Sequence, residues 1–474
     1  MSKQCFYITT ALPYVNGKPH IGYALEVIEA DVIARTARLR GAEVAFNIGT
    51  DEHGGKIWEK AREAKMTPEA YCDEMAEHFR ALKDILNISY THFIRTTDAQ
   101  HIRAAQEFWR RCSASGDIYK KNYQMRYCVG CELEKTDSDL VDGRCPDHPN
   151  RELEIREEEN YFFRFSKYQE PLLALYRTQP DFVVPAKRLN EIVAFVGRGL
   201  QDFSISRLAE KMPWGIAVPD DPRHVMYVWF DALVSYISTL GWPEDGKDFK
   251  TFWPGIQVAG KDNLRQQAAM WQAMLLSANL PPSRQVLIHG QITSAGQKMS
   301  KSLGNVIPLE DLVVAFGQDG ARYLLLSIAE FGEDADVMME RMTEKYNADL
   351  ANGLGNLVSR VLKLAESIEN QELRMKEQGK EYPEALMRLI EEYQFCEALR
   401  YIWKKVSEAN KYMDATKPWI LVKGDQAQFE TVIRKLLSDI AAIALDLQPF
   451  LPETSEKIFA ALDSGTADPL FKRI

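Results

Sequence analysis

Apolar residues in the first hundred positions follow two periods, and this pattern predicts alternating strands and helices. Residues 4–10, QCFYITT, are apolar and β-branched, which predicts a buried strand. After a polar loop, apolar residues recur at spacings of three, four and seven, which is the stripe of an amphipathic helix: Ile21, Leu25, Ile28, Val32 and Leu39. Gly41 predicts the end of this helix.

The same order repeats up to about residue 98. Residues 42–54, AEVAFNIGTDEHG, predict a strand that runs into a polar loop, and residues 90–97, YTHFIRTT, predict a third strand. Between them lies a predicted helix with Thr67 as its N-cap and Pro68 at its first position. This β-α-β-α-β order predicts a parallel sheet that binds a nucleotide at the carboxyl ends of its strands.

The pattern breaks near residue 116 and returns near residue 223. Two later segments, HVMYVWFDALVSYIS and IQVAGKDNLRQQAAMWQAMLLSANL, each predict a buried strand that leads into a helix. From about Glu340 onward only amphipathic helices are predicted. We therefore predict an α/β fold with a split Rossmann-like catalytic domain, an inserted module and a C-terminal all-α helical bundle: residues 1–115 and 223–339, residues 116–222, and residues 340–474, respectively.

Composition excludes several classes of protein. The chain has 474 residues, 46% hydrophobic and 27% charged, as expected for two or three compact soluble domains. No apolar run reaches the ~20 residues of a membrane span. The first residues enter a strand at once, so we expect no signal peptide and a cytoplasmic location. The net charge of −10 argues against a protein coated with nucleic acid, but it allows a local basic groove.

His20 stands where the first loop turns into the first helix. The N-terminus of a helix offers unpaired N–H groups and a positive dipole end, which suit a phosphate. Gly22 has no Cβ to block a ligand that lies on the backbone. We therefore predict that His20 contacts a phosphate or the adenine of a nucleotide; a surface histidine at a helix start is the alternative.

Three cysteines and a histidine form two short hooks, CVGC (Cys128 and Cys131) and CPDH (Cys145 and His148). Two such hooks about a dozen residues apart are typical of zinc, and four ligands with no spare position indicate a closed structural site. A chance cluster and a disulfide are the alternatives, and a disulfide is disfavoured in a cytosolic chain. The other cysteines stand singly and are expected to be core thiols: Cys5, Cys72, Cys112 and Cys396.

A glycine- and lysine-rich loop, GQKMSKSLGN, follows the last predicted strand of the catalytic domain and carries Lys298 and Lys301. Either the loop is simply solvated, or its two lysines bring positive charge to a triphosphate. KMSKS, together with the early HIG that follows ALPY, resembles the two signature motifs of class I aminoacyl-tRNA synthetases.

Further motifs resemble the methionyl-tRNA synthetase family over nearly the whole chain: ALPYVNGKPHIG, GTDEHG, YVWFDAL, AGKDNLRQQAAMW and LIHG. The resemblance implies a two-step reaction. Methionine attacks the α-phosphate of ATP to give methionyl-adenylate and pyrophosphate, and the aminoacyl group then passes to the 3′-terminal adenosine of the methionine tRNA.

The resemblance also implies roles for single residues. His20, Lys298 and Lys301 would be catalytic, and Mg²⁺ bound with ATP would share the neutralisation of the departing pyrophosphate. The same three residues would contact ATP together with four others: Gly22, Tyr23, Gly260 and Asp262, the last of which matches the acid that binds the ribose.

Asp51 follows the second predicted strand, where a carboxylate suits an amine; a loop cap is the alternative. The resemblance implies that Asp51 holds the methionine ammonium group. It also implies that an apolar and aromatic pocket receives the thioether, which packs well on rings: Leu12, Tyr14, Trp229, Tyr236 and Gln267. Without the resemblance, these aromatic residues would be interpreted as ordinary core.

Two places depart from the family pattern. Tyr23 stands where the usual signature has a second histidine. Gln266 and Gln267 stand where an aromatic residue and a histidine commonly line the methionine pocket, although Gln267 can still donate a hydrogen bond to sulfur. These departures bear on side-chain specificity more than on the class of enzyme.

The resemblance makes the C-terminal bundle an anticodon-binding domain. Asn356, Arg360 and Trp419 match residues that read the CAU anticodon, and unstacked loop bases are read by aromatic stacking and by Asn or Arg hydrogen bonds. Asn356 and Arg360 are four residues apart and share one helix face. Surface polar residues and a packed tryptophan are the alternative.

We therefore expect an ATP-dependent methionine–tRNA ligase with one structural zinc in its inserted zinc-knuckle module. The expected partners are ATP, L-methionine, and the initiator and elongator methionine tRNAs, with no membrane partner. We expect a monomer, because no dimerising domain is visible after the bundle. Two alternatives stay open: a related class I synthetase for a small amino acid such as cysteine, and a non-catalytic tRNA-binding paralogue.

Overall fold

The computed structural model describes residues 4–131, 133–135, 140–244, 247–294, 296–298, 307–368, 382–466 and 468–474. Strands and helices are numbered in chain order. Among the described residues, no helix is both long enough and apolar enough to pass through a bilayer.

A six-stranded parallel sheet in the order β3-β2-β1-β12-β13-β7 forms the centre of the catalytic region. Five of its strands come from the two predicted halves and one, β7, comes from the predicted insertion: β1 (Cys5–Thr10), β2 (Glu43–Thr50), β3 (His92–Arg95), β7 (Val183–Val184), β12 (Ile256–Gly260) and β13 (Gln285–His289). The halves meet where β1 pairs with β12, with Ile8 opposite Ile256. Strands β2 and β3 are added on one side of this pair and β13 on the other, so the strand order changes direction here. Doubly wound sheets bind their ligands at such a switch point. The predicted α/β, Rossmann-like fold is confirmed.

The sheet separates two hydrophobic cores. In β1, Tyr7 is buried in one core and Ile8 in the other, as the period of two in a strand requires. The Ile8 core continues without a break into the C-terminal bundle, so the bundle packs on the same face of the sheet as the first helix. Cys72, Cys112 and Cys396 are buried as expected, whereas Cys5 is only half-buried.

Ten helices among the described residues belong to the catalytic halves: α1 (Ile21–Leu39), α2 (Gly55–Glu63), α3 (Pro68–Arg80), α4 (Leu82–Ile85), α5 (Ala99–Ala114), α8 (Val228–Ala232), α9 (Ser235–Ser238), α10 (Lys247–Phe252), α11 (Trp271–Ser277) and α12 (Leu309–Leu326). Two predicted local signals are confirmed. Thr67 caps α3 by accepting a hydrogen bond from the Ala70 N–H at 3.2 Å, and Gly41 follows α1 with a left-handed φ of +85°.

The inserted region contains a four-stranded sheet in the order β5-β4-β6-β8, a three-stranded sheet in the order β10-β11-β9, and two helices. Their bounds are β4 (Ile118–Cys128), β5 (Leu133–Glu134), β6 (Glu154–Phe163), β8 (Phe203–Ser204), β9 (Ser206–Leu208), β10 (Ala217–Val218), β11 (Asp221–Met226), α6 (Gln169–Thr178) and α7 (Ala186–Gly197). The strand expected before the WFDAL motif is β11, which lies in the small sheet rather than in the parallel sheet. Conversely, β7 lies within residues 116–222 and yet pairs with β13. The exact domain boundaries therefore stay a prediction.

A short sheet follows β13: β14 (Ile292–Ser294), β15 (Gln297–Lys298) and β16 (Ala335–Asp336). The rest of the chain, where described, forms helices, as expected after residue 340: α13 (Met339–Lys345), a π-helical segment (Tyr346–Gly355), α14 (Asn356–Ala365), α15 (Glu384–Glu391), α16 (Phe395–Thr416), α17 (Pro418–Leu421), α18 (Gln426–Leu447) and α19 (Pro452–Ser464).

Arg322 of α12 joins the catalytic region to this bundle. Its guanidinium lies 2.9 Å from the carboxylate of Asp31 in α1, and both side chains are fully buried. It also donates hydrogen bonds to the carbonyls of Phe450 (2.7 Å) and Leu86 (3.0 Å). One buried cation thus connects α1, the loop after α4 and the turn between α18 and α19.

Candidate active site, metal centre and anticodon surface

The N-terminus of α1 is closed by its own cap residue. His20 is exposed, and its Nδ1 accepts hydrogen bonds from the N–H groups of Gly22 (3.1 Å) and Tyr23 (3.4 Å). A neutral ring that accepts at Nδ1 carries its proton on Nε2. A Cβ on Gly22 would stand 3.0 Å from two ring atoms of His20, so glycine lets the ring close over the helix end. The helix N–H groups expected to face a phosphate are therefore engaged by the imidazole itself.

Tyr23 lies beneath this cap in the core. Its side chain is 6% exposed, its ring meets Phe79 edge-on at 5.7 Å, and its hydroxyl lies 3.4 Å from Thr10 Oγ1. Burial raises the pKa of Tyr23 well above its usual range, so the side chain is neutral. It packs the helix against the sheet, and its contact with a nucleotide stays a prediction.

The ALPY loop and the end of β2 are paired through their backbones. The Val15 N–H donates to the Asp51 carbonyl at 3.2 Å, and the Asp51 N–H donates to the Pro13 carbonyl at 2.9 Å. These bonds place Tyr14 beside Asp51, which is 3% exposed. Leu12, in the same loop, is half-buried against the hydrophobic core that contains Tyr7. Three residues predicted to bind the amino acid are thus held together by backbone pairing.

Tyr236 and Gln267, two further residues predicted to bind methionine, are in direct contact. Gln267 Nε2 donates to the Tyr236 hydroxyl at 2.6 Å, and Tyr236 accepts a hydrogen bond at its carbonyl from Tyr7 of β1 at 2.8 Å. Burial raises the pKa of Tyr236, and the negative charges of Glu26 and Asp51 raise it further. Trp229 is half-buried, with its ring 5.8 Å from that of Tyr227.

The proposed ribose side lies at the carboxyl ends of β12 and β13. Gly260 ends β12, and Asp262 is exposed in the turn of 3-10 helix that follows. Asp262 Oδ2 accepts a hydrogen bond from Gln291 Nε2 at 3.1 Å. This bond connects the turn to the segment that follows β13.

Of the two signature lysines, one can be placed. Lys298 pairs through its backbone with Thr293 in the β14–β15 ladder, just beyond β13. Lys301 lies outside the described residues. The phosphate clamp therefore stays a prediction from the sequence, with its first lysine near the strand ends that the nucleotide site requires.

The two cysteine hooks converge on one point. The ligand atoms of Cys128, Cys131, Cys145 and His148 all lie within 4.8 Å of one another. Cys131 Sγ lies 3.4 Å from Cys145 Sγ and 3.2 Å from His148 Nδ1, and all of these thiols are free. Zn–S bonds of ~2.3 Å in a tetrahedral site would put two sulfurs roughly 3.7 Å apart, so the cluster has the dimensions of a metal site and not of a disulfide.

Gly130 makes this convergence possible. A Cβ at that position would stand 2.3 Å from Cδ2 of His148, closer than two carbon atoms can approach. Cys128 and Cys145 are buried, so the group is a closed hook rather than an exposed cluster. The residues predicted as metal ligands are therefore brought together and could hold a metal ion.

In the helical bundle, Arg360 and Trp419 are in contact. The Arg360 guanidinium carbon lies 5.1 Å from the centre of the Trp419 ring and 39% of Trp419 is exposed. Arg360 also pairs with Asp414 at 3.6 Å. Asn356 is exposed at the first position of α14, one turn before Arg360. The exposure of Trp419 speaks against a purely packed tryptophan.

Comparisons with known proteins decide the family. A model described as tRNA synthetases class I (M) matches residues 6–153 and 148–362, and a model described as the anticodon binding domain of methionyl tRNA ligase matches residues 363–470. The methionine–tRNA ligase of Caldanaerobacter subterraneus is 42% identical over 475 residues, which cover 97% of this chain and 74% of the relative. This chain belongs to the methionyl-tRNA synthetase family.

Other members of the methionyl-tRNA synthetase family agree in sequence and in structure. The methionine–tRNA ligase of Thermosynechococcus vestitus is 43% identical over 477 residues, covering 96% of this chain and 90% of the relative. A solved structure of Mycobacterium tuberculosis methionyl-tRNA synthetase in complex with methionyl-adenylate superposes with a TM-score of 0.88 at 39% identity, covering 96% of this chain and 93% of that chain. The predicted family and enzyme class, a methionine–tRNA ligase, are confirmed.

The sequence analysis missed a buried network of one carboxylate and two histidines around Asp231. Asp231, two residues after Trp229, lies 3.0 Å from His53 Nδ1 and 3.4 Å from His101 Nε2. Burial would raise the pKa of Asp231, but the two imidazoles lower it below its ordinary value. His53 and Asp231 occur in the quoted motifs GTDEHG and YVWFDAL, so the signal was present, but their partnership crosses 178 positions of sequence.

A second missed residue, Glu52, orients the loop that carries Asp51. Its buried carboxylate accepts hydrogen bonds from Arg95 Nε at 2.7 Å and from Thr50 Oγ1 at 2.7 Å, and its carbonyl accepts one from Trp214 Nε1 at 2.6 Å. These hydrogen bonds, made by a buried side chain and by its own carbonyl, fix the backbone around Glu52. The one signal in the sequence was the acidic pair Asp51-Glu52. Such a pair suggests that one carboxylate contacts the ligand and the other fixes the loop.

Proposed function

We propose that the amino-acid pocket of this methionine–tRNA ligase carries out adenylation with the residues described above. The observation that carries the proposal is the buried Asp51 residue, joined through its backbone to the Tyr14 loop at the carboxyl end of β2. A carboxylate at the carboxyl ends of parallel strands is suited to bind the ammonium group of an amino acid.

In this proposal, Asp51 holds the ammonium group and the aromatic wall receives the side chain. Tyr236, Trp229, Tyr14 and Leu12 provide apolar surface on which a thioether packs well. Gln267 already donates one N–H to Tyr236, and its second N–H is available to the sulfur. The methionine carboxylate is then placed to attack the α-phosphate of ATP, forming an O–P bond while the bond to pyrophosphate breaks.

The nucleotide lies over the end of α1 and the ends of β12 and β13. With its Nδ1 engaged by the helix, His20 would act through Nε2–H as a neutral donor to a phosphate oxygen. Gly22 and Tyr23 shape the floor, and Gly260 and Asp262 contact the ribose. Lys298 and Lys301 offset the charge of the departing pyrophosphate, and Mg²⁺ bound with ATP supplies further charge neutralisation.

We assign zinc to the cysteine cluster on the chemistry of its donors. Three thiolates and one imidazole nitrogen are the ligands that Zn²⁺ prefers, and their number leaves no position for a reacting water. Cys128, Cys131, Cys145 and His148 would therefore stabilise the inserted module and take no part in the chemistry.

The partners that we infer are ATP, methionine and both the initiator and elongator methionine tRNAs, whose CAU anticodon would meet Asn356, Arg360 and Trp419. The exposed indole beside Arg360 offers a stacking surface and a hydrogen-bonding fork at one place. We also infer that the enzyme acts as a monomer in the cytoplasm.

ATP–pyrophosphate exchange with a panel of amino acids tests the proposed pocket. Methionine should support exchange and Asp51→Asn should abolish most of it by raising the KM for methionine. The matched control is Asp73→Asn, whose exposed carboxylate pairs with Arg95 outside the pocket. Exchange with cysteine instead of methionine would favour the related synthetase, and no exchange with any amino acid would favour a non-catalytic tRNA-binding protein.

The anticodon assignment has a separate test. Trp419→Ala should reduce the kcat/KM of tRNA aminoacylation about tenfold, because stacking on one base contributes ~1–3 kcal/mol. ATP–pyrophosphate exchange should stay at the wild-type rate, since the residue lies in the bundle. An equal loss in both assays would show that the tryptophan supports the fold instead.

A further inference from the structure

Gln267 reaches the amino-acid pocket from an unusual piece of backbone. Residues Gln266–Met270 form a π-helical turn, in which the Trp271 N–H donates to the carbonyl of Gln266, five residues before it. Single π-helical turns inside α-helices leave carbonyls without their normal partners and are frequent at functional sites. These carbonyl groups must therefore find other hydrogen-bond donors if the widened turn is to keep one conformation.

Gln272, in the next helical turn, supplies such a donor. Its Nε2 donates to the backbone carbonyl of Gln267 at 2.7 Å, and its Oε1 accepts from the backbone N–H of Ser283 at 2.9 Å. Both partners are backbone groups, one acceptor and one donor, so the orientation of the amide is fixed. The side chain is fully buried, where losing either bond would leave a polar group without a partner.

The same amide connects the turn to the nucleotide strand. Ser283 Oγ donates to Gln257 Oε1 in β12 at 2.6 Å, and Gln272 Nε2 lies 3.1 Å from Ser283 Oγ. Residue 257 is three positions before Gly260, which ends the strand at the proposed ribose site. The wide turn is thus anchored to a strand whose own position is set by the parallel sheet.

Gln267 has hydrogen-bonding capacity left for a ligand. It is 3% exposed, and its Oε1 has no hydrogen-bond partner within the described part of the chain, while Nε2 bonds Tyr236. Nε2 carries a second N–H, which a thioether sulfur can accept, whereas the unpartnered Oε1 can only accept and suits a donor group of the ligand.

We propose that Gln272 is a positioning residue for amino-acid selection: it holds the π-helical turn so that the amide of Gln267 faces the side chain of methionine. Gln272 touches no substrate and acts through Gln267. This inference rests on the proposed role of the Tyr236–Gln267 wall in methionine binding.

Gln272→Met tests the proposal, because methionine fills a similar volume but makes neither hydrogen bond. The KM for methionine should rise about tenfold, the scale of one lost buried hydrogen bond, while the KM for ATP stays within about twofold. The preference for methionine over norleucine, which lacks the sulfur, should fall in parallel. A variant that is merely less stable would lose active enzyme for both amino acids alike and leave that preference unchanged.

Ser283→Ala is the matched control. It removes the hydroxyl contacts in the same network but keeps the backbone N–H that binds Gln272, so the methionine preference should stay at the wild-type value. If Gln272→Met does not fold, Gln272→Asn offers the same amide on a shorter stem that cannot span both backbone partners, and it should show the same loss of preference.

A double-variant cycle separates the two proposals. Gln267→Ala should lower the preference for methionine, and adding Gln272→Met should lower it no further if Gln272 acts only through Gln267. Additive losses, or a Gln272→Met variant with wild-type preference beside a damaged Gln267→Ala, would overturn the positioning role alone. A Gln267→Ala variant with unchanged preference would instead overturn the proposed pocket on which the inference rests.

Discussion

The metal cluster and the amino-acid pocket are assembled over very different lengths of chain. Four metal ligands lie between positions 128 and 148, whereas the proposed methionine contacts extend from Leu12 to Gln267 and come from both halves of the catalytic region. The cluster is held by a glycine that lets two hooks close. The pocket is held by the pairing of β1 with β12 and by buried networks around Asp231, Glu52 and Gln272.

This difference has a physical consequence. A site made from adjacent hooks can form once its own loop closes and the metal binds, since loop closure over about 20 residues costs little entropy. A pocket made from distant strands exists only when the whole domain is folded. Damage to the cluster should therefore stay local, and damage to long-range contacts should spread.

The largest effect is expected from opening the metal cluster. Cys145→Ser removes one of four ligands, and because structural zinc contributes folding energy directly, the variant should lose zinc and unfold its inserted region at a lower temperature. Elemental analysis and a thermal melt would measure both effects. Cys396→Ser, a single buried thiol outside the cluster, should retain full metal content.

A purified wild-type enzyme that contains no zinc and has full activity would remove the metal assignment. A chelator that lowers the melting temperature of wild type but not of Cys145→Ser would locate the stabilising metal in these hooks and sharpen the contrast with the pocket.

Breaking the contact between domains should have the next largest effect. Among the described residues, Arg322→Met leaves the buried Asp31 carboxylate with Arg35 as its one remaining ion-pair partner, and removing one member of a buried ion pair costs about 3–5 kcal/mol. Urea denaturation should show this loss in the free energy of unfolding of the whole enzyme. Arg400→Met, at an arginine whose side chain is 60% exposed, should change it by less than ~1 kcal/mol. A loss of that small size in Arg322→Met would show that the domains do not depend on this pair.

At the N-terminus of α1, substitutions of His20 and Tyr23 should differ in their effect on adenylate formation. His20→Ala should cost at least ~2 kcal/mol in adenylate formation, the scale of one lost transition-state donor. Tyr23→Phe should cost under ~1 kcal/mol, because it removes one buried hydroxyl contact with Thr10. Single-turnover adenylate formation at saturating ATP measures both. If Tyr23→Phe is the more damaging change, the hydroxyl is a catalytic donor and the packing role given to Tyr23 is wrong.

A pH dependence is also expected within the buried core. Burial raises the pKa of Glu29 to about 8. Burial opposes the charged form of His289 as well, but its hydrogen bond with Glu26 and the charge of Glu29 raise its pKa to about 9. Both groups have folded-state pKa values above their unfolded values, so the stability they contribute is present at low pH and is lost as pH rises through 8 and 9. The free energy of unfolding should therefore fall with rising pH by up to about 1.4 kcal/mol per pH unit for each group, from about pH 4.5 to 8 for Glu29 and from about pH 6.5 to 9 for His289.

Glu29→Gln checks this prediction, because it removes one of the two titrating groups and should flatten the curve. Glu63→Gln, on the exposed surface, should leave the curve as in wild type. A wild-type slope in Glu29→Gln would show that this cluster does not titrate in the expected range.

Local signals in the sequence were reliable where the chain determines its own conformation. The cap at Thr67, the end of α1 before Gly41 and the hooks around Cys131 depend on neighbours within a few residues, and the structure agrees at each place. The strand before the WFDAL motif was also recognised, but its sheet was not. Alternation of apolar residues reports a half-buried strand without saying which partner covers it.

The sequence by itself determined the family, the split α/β architecture and the four residues of the cysteine–histidine cluster, because motifs and short-range spacing record them. Only the tertiary structure decided how His20 uses its two nitrogens, that Tyr23 is a core residue, and that Asp231, Glu52 and Gln272 hold the pocket. These roles arise from contacts between residues up to 178 positions apart. A side chain's chemistry is written in the sequence, but its hydrogen-bond partner is selected only when folding closes the chain around it.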